Sequence, residues 1–379
     1  MPETVAIGKR RRLRIRHRGR GAQVWIYLGK MLRMFIYQND WKVLPMAALI
    51  AGLVGMVIQK RLFVTMEGTL MGSFALVMVC IWNGCFNSIQ VICRERDVIK
   101  REHRSGMHIS SYIGAHMIYQ ALLCLLQTIV TVYITQAVGV KYSGEGLVTS
   151  FTIVDFGISM FLITYASDML ALWVSTLSKN TTAALTIMPF VLIFQLVFSG
   201  GMLSLPEWTK SITPLTISNP ALKVLASQSN YNSRPVMTVW NIVDGMKERE
   251  VSATVTFGQV LDFLQNKENP LVAELRAAEL SEGVTVGSVL DPVLESPDVQ
   301  AHREESRTFT STIGGIMDMI GQERVKDLLQ NRIAEVSQIP EYEYSLKNVL
   351  GYWMQLFLFV IVFAVLSTIT LEFIDKDKR

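Results

Sequence analysis

Cysteine is scarce in this chain of 379 residues, which has only Cys80, Cys85, Cys93 and Cys124, with no CxxC pair among them. All four lie in or beside apolar stretches, so no disulfide framework is expected outside a membrane. The five histidines, His17, His103, His108, His116 and His302, show no metal-ligand spacing with Cys or acidic partners. Neither HExxH nor GxSxG occurs, so no zinc-protease or serine-nucleophile site is nominated: catalytic residues none, metal ligands none. An apolar segment is also missing from the first 20 residues, which carry eight Lys or Arg. No secretory signal peptide is therefore expected, and the first apolar span serves as its own insertion signal. Charged residues are sparse too, at 18% against 50% hydrophobic, a balance too apolar for a soluble protein of this length.

What is present is clumped. A bilayer core of roughly 30 Å needs about 20 largely apolar residues per helix. Six stretches meet or approach that: Trp41–Gln59, Leu70–Ile92, Tyr112–Val138, Val148–Ser175, Thr182–Leu203 and Val349–Leu371, the first being the shortest. Buried helices of a soluble core usually keep a polar face, and these stretches mostly do not. The expected fold is an all-α membrane protein with six transmembrane helices and both termini in the cytoplasm. Its expected location is the cytoplasmic (plasma) membrane.

Orientation follows from Lys and Arg near span ends, since short loops rich in them stay inside. The run Lys9–Arg20 puts the N-terminus in the cytoplasm, as does the five-cation loop Arg94–Arg104 for the join between spans two and three. Lys60 and Arg61, on the first outer loop, dissent. The same count places Pro206–Tyr344 outside, too long for a loop and therefore a domain. That segment holds twenty Asp or Glu against twelve Lys or Arg, a net of −8 in a chain of net +4. The basic remainder suits anionic lipid headgroups, so membrane lipids are expected partners; nucleic acid is not, because basic runs flanking spans already serve topology. The expected division is a basic tail 1–21, an interfacial helix 22–38, spans 41–204, a mainly helical outer domain 205–345, a last span 347–372 and a tail 373–379.

Inside the outer domain VTFGQVLD (Val255–Asp262) and VTVGSVLD (Val284–Asp291) recur 29 residues apart, with a looser echo at Thr310–Gly321 that leads into a helical pattern at Gln322–Val336. Each reads as a short extended entry followed by an amphipathic helix, and three small helical units are expected. Before the first span, Gln23–Gln38 mixes aromatics with Lys30 and Arg33 at helical spacing, which suits a helix lying on the cytoplasmic surface. Ala47, Ala48, Ala51, Gly52 and Gly55 allow close helix contact along the first span. Polar residues within spans are costly. Asn83, Asn87 and Gln90 fall at helical spacing on the second span, where interhelical hydrogen bonds or an interface between two copies or halves would each account for them. Asp168 lies inside the fourth span, with structural and substrate roles evenly weighed, and Asp155 is near that span's outer end.

The segment Cys93–Tyr112, CRERDVIKREHRSGMHISSY, reads as a short amphipathic helix beside the membrane. Its order Glu95-Arg96, Arg101-Glu102, Gly106, Ser111-Tyr112 resembles the coupling helix of ABC-2 type permeases, specifically the ABCG-like branch. Gln23–Gln38 is similar to that family's connecting helix, Trp82–Ile92 to the end of its second span, and Phe194–Pro206 to the end of its fifth. The likeness covers about 22–230 and 347–374 and leaves Ser233–Tyr344 unexplained. It implies a coupling helix at about 94–106 in which Glu95, Arg96, Arg101, Glu102, Arg104 and Gly106 face an ATPase, with Asn83, Asn87, Gln90 and Asp168 along a translocation path. One departure matters: nothing reads G-x-x-x-x-G-K-[ST], so the chain has no evident means of hydrolysing ATP.

The resemblance therefore implies a non-enzymatic permease subunit of an exporter, with no cofactor of its own and with ATP and Mg held on a separate ABC ATP-binding subunit. A second permease subunit, identical or different, would complete a dimer. Two other readings stay open: a mechanotransmission subunit whose outer domain relays force to an envelope partner, and a membrane-anchored receptor or adhesin, against which six spans weigh.

Overall fold

The computed structural model describes residues 19–37, 40–60, 62–142, 146–200, 211–236, 241, 245–281, 284–321 and 339–373. The basic run before Gly19, Arg61, the Gly201–Pro206 end of the fifth-span motif, the helical pattern 322–336 and the tail after Phe373 lie outside them. The chain divides into two compact units, residues 1–237 with 332–379 and residues 238–331.

The first unit is helical: α1 (Arg20–Tyr37), α2 (Val43–Ile58), α3 (Met66–Ser88), α4 (Val91–Arg104), α5 (Ile109–Val138), α6 (Thr152–Leu177), α7 (Thr181–Val197) and α8 (Ser218–Gln228). Local chemistry sets several ends. Thr65 accepts from the amide of Gly68 to start α3, and Asn180 accepts from Ala183 to start α7. Gly139, at φ +117°, closes α5 in the left-handed region. A final helix, Leu346–Glu372, completes the unit.

Among the described residues, four helices are long and apolar enough to cross a bilayer: Met66–Arg104, which is α3 running through a two-residue turn into α4, then α5, α6 and Leu346–Glu372. α2 and α7, with 16 and 17 residues, reach roughly 24 and 26 Å at about 1.5 Å per residue, short of a ~30 Å core. The outer surface is apolar, with Leu49, Leu53, Phe190, Phe357 and Leu358 all exposed. The interior carries the polar groups, among them Ser88, Gln120, Gln127, Ser159, Asp168 and Ser175. That is the arrangement hydrocarbon selects, because outward polar groups would go unsatisfied there while inward ones find partners on neighbouring helices. The chain is a mostly helical, membrane-integral protein.

α6 lies at the centre, with Phe156, Met160, Ile163, Met169 and Leu172 fully buried. α3 packs most closely on it because Gly84 brings its backbone against Thr164 and Asp168. α8 corrects the expected boundary at 205. Apart from Lys223, its residues are all buried, and its first turn is held by Gln195 of α7, whose side-chain oxygen accepts from the Ser218 amide (3.1 Å) and whose carbonyl accepts from the Ser218 hydroxyl (2.5 Å). Residues 211–236 thus pack in the first unit, where α8 is buried against its neighbours. The chain leaves and re-enters this unit at one place: Asn232 Nδ2 donates to the Ile339 carbonyl at 3.0 Å, and its Oδ1 accepts from the Ile339 amide at 3.1 Å.

Among its described residues the second unit has more helix than strand, and it adds two two-stranded sheets to the expected helices. It contains β1 (Glu250–Thr256), α9 (Phe257–Gln265), α10 (Pro270–Ala277), β2 (Glu279–Ser281), β3 (Val284–Thr285), α11 (Val286–Leu294), α12 (Pro297–Ala301), β4 (Ser306–Thr312) and α13 (Ile313–Ile320). β1 pairs antiparallel with β4 from Glu250↔Thr312 to Thr256↔Ser306, and β2 pairs with β3. The repeated motif has one structure in all three copies. A strand ends at Thr256, Thr285 or Thr312, whose hydroxyl accepts from the amide three residues on and starts a helix. Two residues after each threonine stands a glycine, Gly258, Gly287 or Gly314, where an added Cβ would lie 3.1, 3.1 or 3.2 Å from the carbonyl oxygen of Arg303, Arg276 or Lys247. Each helix begins one residue before its glycine, and α14 is the name used below for Leu346–Glu372.

Candidate functional site

α4 carries Arg94, Glu95, Arg96, Asp97, Lys100, Arg101, Glu102 and Arg104 within 14 residues. Its sides have different partners. On one side Lys30 of α1 reaches both Glu95 (3.7 Å) and Glu102 (3.6 Å). The Tyr112 hydroxyl of α5 donates to Glu95 at 3.5 Å, and Tyr27 of α1 packs edge-on against Tyr112 with ring centres 5.5 Å apart. Burial, with the Glu102 carboxylate beside it, holds the Tyr27 hydroxyl well above its ordinary pKa of 10.0. The Gln23 side chain spans the turn after α4, donating to the Gly106 carbonyl (3.2 Å) and accepting from the His108 amide (2.9 Å).

On a second side α4 is joined to the end of α6. Arg96 Nη1 donates to the carbonyls of Thr176 and Ser178, both at 3.0 Å, placing a cation where the helix leaves its last carbonyls open. The reciprocal contact is Ser175, whose hydroxyl accepts from the amides of Ile92 and Cys93 at the start of α4. A third side, with Asp97, Arg101 and Arg104, is exposed.

The residues nominated for coupling therefore separate by role. Glu95 and Glu102 face α1, Arg96 ties α4 to α6, and Gly106, at φ +104°, makes the turn that only glycine takes readily. Arg101 and Arg104 lie outward. Lys30, Gln23 and Ser175 were not nominated from the sequence. Lys30 had a signal, as a cation among apolar residues on one helix, but a serine or glutamine near a span end looks like many others.

Deeper in, α3, α5 and α6 share a polar file. Gln120 Nε2 donates to Ser88 Oγ (2.7 Å), which donates to Asp168 Oδ1 (2.8 Å). Asp168 is fully buried within the chain. Asn87 and Gln127 exchange side-chain amide hydrogen bonds at 2.7 and 3.0 Å. Asn83 is buried on α3, and Gln90, in the turn between α3 and α4, lines a cavity with Asn87. Asp155 accepts from the amides of Val148 and Thr149 and from the Thr149 hydroxyl, so it closes the turn ahead of α6.

The model of the ABC-2 type transporter family matches residues 9–223, more than half of the chain, and takes in α1 to the middle of α8. The chain belongs to the ABC-2 type transporter family. Comparison with the curated proteins yields no match. Membership makes it a permease subunit of an ABC transporter, and ABC-2 permeases associate with ABC ATP-binding subunits. The matched region contains all of α4 and its contacts with α1, α5 and α6, and it stops before the second unit. What distinguishes this ABC-2 permease from its matched core is the inserted body at 238–331.

Proposed function

We propose that this chain is the membrane-spanning half of an ATP-driven exporter of the ABCG-like branch, with α4 as its coupling helix and α1 as its connecting helix. The observation that carries this reading is the threefold attachment of α4: to α1 through Lys30, to α6 through Arg96 and Ser175, and to α3 through a two-residue turn. A helix held in this way moves its neighbours when pushed. The exposed side bearing Asp97, Arg101 and Arg104 is the surface offered to a separate ATP-binding subunit, which supplies ATP and Mg.

Six crossings give this arrangement. α2 and α7 complete the count as short spans, a mismatch accommodated by local thinning or tilt. Both termini and α4 lie in the cytoplasm, and the 238–331 body lies outside. A second permease chain, identical or different, forms the other half of the path. ATP-driven closure presses on α4, and the rigid bundle switches between inward and outward access. An amphiphilic or apolar cargo suits a path whose walls are this apolar.

The test is copurification and ATP hydrolysis with the partner ATPase. Charge reversal by Arg101→Glu with Arg104→Glu is expected to lower both recovery of the ATPase and its stimulation at least tenfold. Wild-type recovery would remove α4 from the coupling role. A second reading is favoured by one observation, the repeated strand, threonine cap and helix of the inserted body: it relays force to an envelope partner instead of gating a path. ATP-dependent cargo movement in vesicles lacking any outer partner would argue against that version.

A further inference from the structure

A cavity of about 210 Å³ opens where α1, α3, α4 and α5 meet. Asn87 and Gln90, nominated from the sequence for a path, stand in its lining. Its floor is His116 and Gln120, which are 3% and 1% exposed. Both ring nitrogens of His116 and the Gln120 side-chain oxygen are without hydrogen-bond partners among the described residues. Its rim carries two cations and one carboxylate, a net positive set: Lys30, shared with Glu95 and Glu102, Glu95 itself, and Arg94, which has no ion pair among the described residues. Met34, Val43 and Phe86 form an apolar side of the mouth, and Phe86 is exposed at the surface of the bundle.

Three buried polar atoms left open is an arrangement that costs about 1–3 kcal/mol for each unless something fills it. The donor and acceptor inventory says what fits. The Gln120 oxygen only accepts, so its partner must bring a hydrogen. The neutral His116 ring offers one donor and one acceptor. Arg94 and Lys30 call for an anion, and the guanidinium in particular matches phosphate oxygens. The volume is below the roughly 300–1,000 Å³ of pockets that take a whole drug-sized ligand, so a head enters and any chain stays outside, beside Phe86.

We propose that this cavity binds the headgroup of an anionic lipid that combines a phosphodiester with free hydroxyls, a phosphoglycerol head. The phosphate lies at Arg94 and Lys30, the glycerol hydroxyls reach His116 and Gln120, and the acyl chains pass the Met34, Val43 and Phe86 edge into the bilayer. A choline head is excluded because it brings no hydrogen to Gln120. The site joins α1 to α4, so an occupied cavity ties the connecting and coupling helices through lipid. It stands apart from transport: a chain that retains lipid yet fails to stimulate its ATPase would overturn the function proposed above and leave this site intact.

The experiment is native mass spectrometry of the full chain, delipidated and then reconstituted from vesicles of equal phosphatidylglycerol and phosphatidylcholine. One phosphatidylglycerol per chain is expected, favoured at least tenfold over phosphatidylcholine. Retention is expected to fall at least tenfold in Arg94→Gln and His116→Phe and to stay at the wild-type level in Arg101→Gln, two turns further along α4 and not part of the cavity lining. Arg94 is exposed, so Arg94→Gln decides the matter if His116→Phe fails to assemble. Equal retention of the two lipids, or undiminished retention in Arg94→Gln, would overturn the proposal. Displacement of the lipid by an equimolar amount of free glycerol 3-phosphate would also overturn it, by assigning the cavity to a soluble phosphate ester.

Discussion

Gly84 shows how much of the membrane unit rests on single positions. A Cβ there would press into the Thr164 carbonyl oxygen and lie 2.8 Å from the Asp168 amide nitrogen, both backbone atoms that cannot swing away. Gly84→Ala is therefore expected to push α3 off α6 and destabilise the unit by about 1–3 kcal/mol, read as a lower melting temperature of the purified chain. An unchanged melt would contradict the close seam. Asp168, beside it, was legible in the sequence as an acid in an apolar stretch, since few features of a span are as conspicuous. Its partners Ser88 and Gln120 were not, because a serine or glutamine in a span bonds to whatever neighbour packing supplies. The sequence left structural and path roles for Asp168 evenly weighed; the structure places the carboxylate inside the chain, bonded to Ser88. Asn87 was equally visible as a polar span residue, but its pairing with Gln127 depends on how α3 meets α5.

The joint between α4 and α6 depends on Arg96. Its Nη1 alone donates to two carbonyls at the end of α6, at 3.0 Å each. Arg96→Ala is expected to cost about 1–3 kcal/mol and, more tellingly, to leave ATPase recovery near wild type while stimulation of hydrolysis falls severalfold. Arg96→Lys, whose ammonium also has hydrogens for two carbonyls, should restore part of it. Joint loss of recovery and stimulation would mean that Arg96 supports docking rather than transmission. The longer helices were mostly legible: apolar clumping marked α2, α3, α5, α6, α7 and Leu346–Glu372, whose observed bounds differ from the expected ones by only a few residues at most ends, while α8 went unread. Coupling roles were less so. The charges of α4 are visible, but which of them point inward depends on the rotation of α4 against α1 and α6, and that is set by packing.

Over the whole molecule, the inserted body is the least legible part. Its repeats were visible as words, and the structure shows why the words recur: a threonine that caps and a glycine that lets another segment's carbonyl come within about a Cβ's reach. The strands were visible only as short extended entries to the repeats; their lengths and pairing were not, since two- and three-residue segments such as β2 and β3 carry no periodicity to read. Its boundaries also lay further in than expected, because α8 is buried with the spans. Replacing residues 237–338 by a short Gly/Ser linker is expected to leave a monodisperse membrane unit that still recovers the ATPase, measured by size exclusion and copurification. Aggregation of that deletion would show that the spans need the insert in order to fold.

The Asn232–Ile339 clasp has a mechanical consequence. Since the outgoing and returning chains are stitched to one another, a tug on the insert arrives at a single knot, backed by the Lys223–Glu341 ion pair at 2.8 Å. Load of that kind cannot pry two distant anchors apart. The bundle is thereby shielded from whatever its passenger grips, and one passenger can be exchanged for another without rewriting the helices beneath.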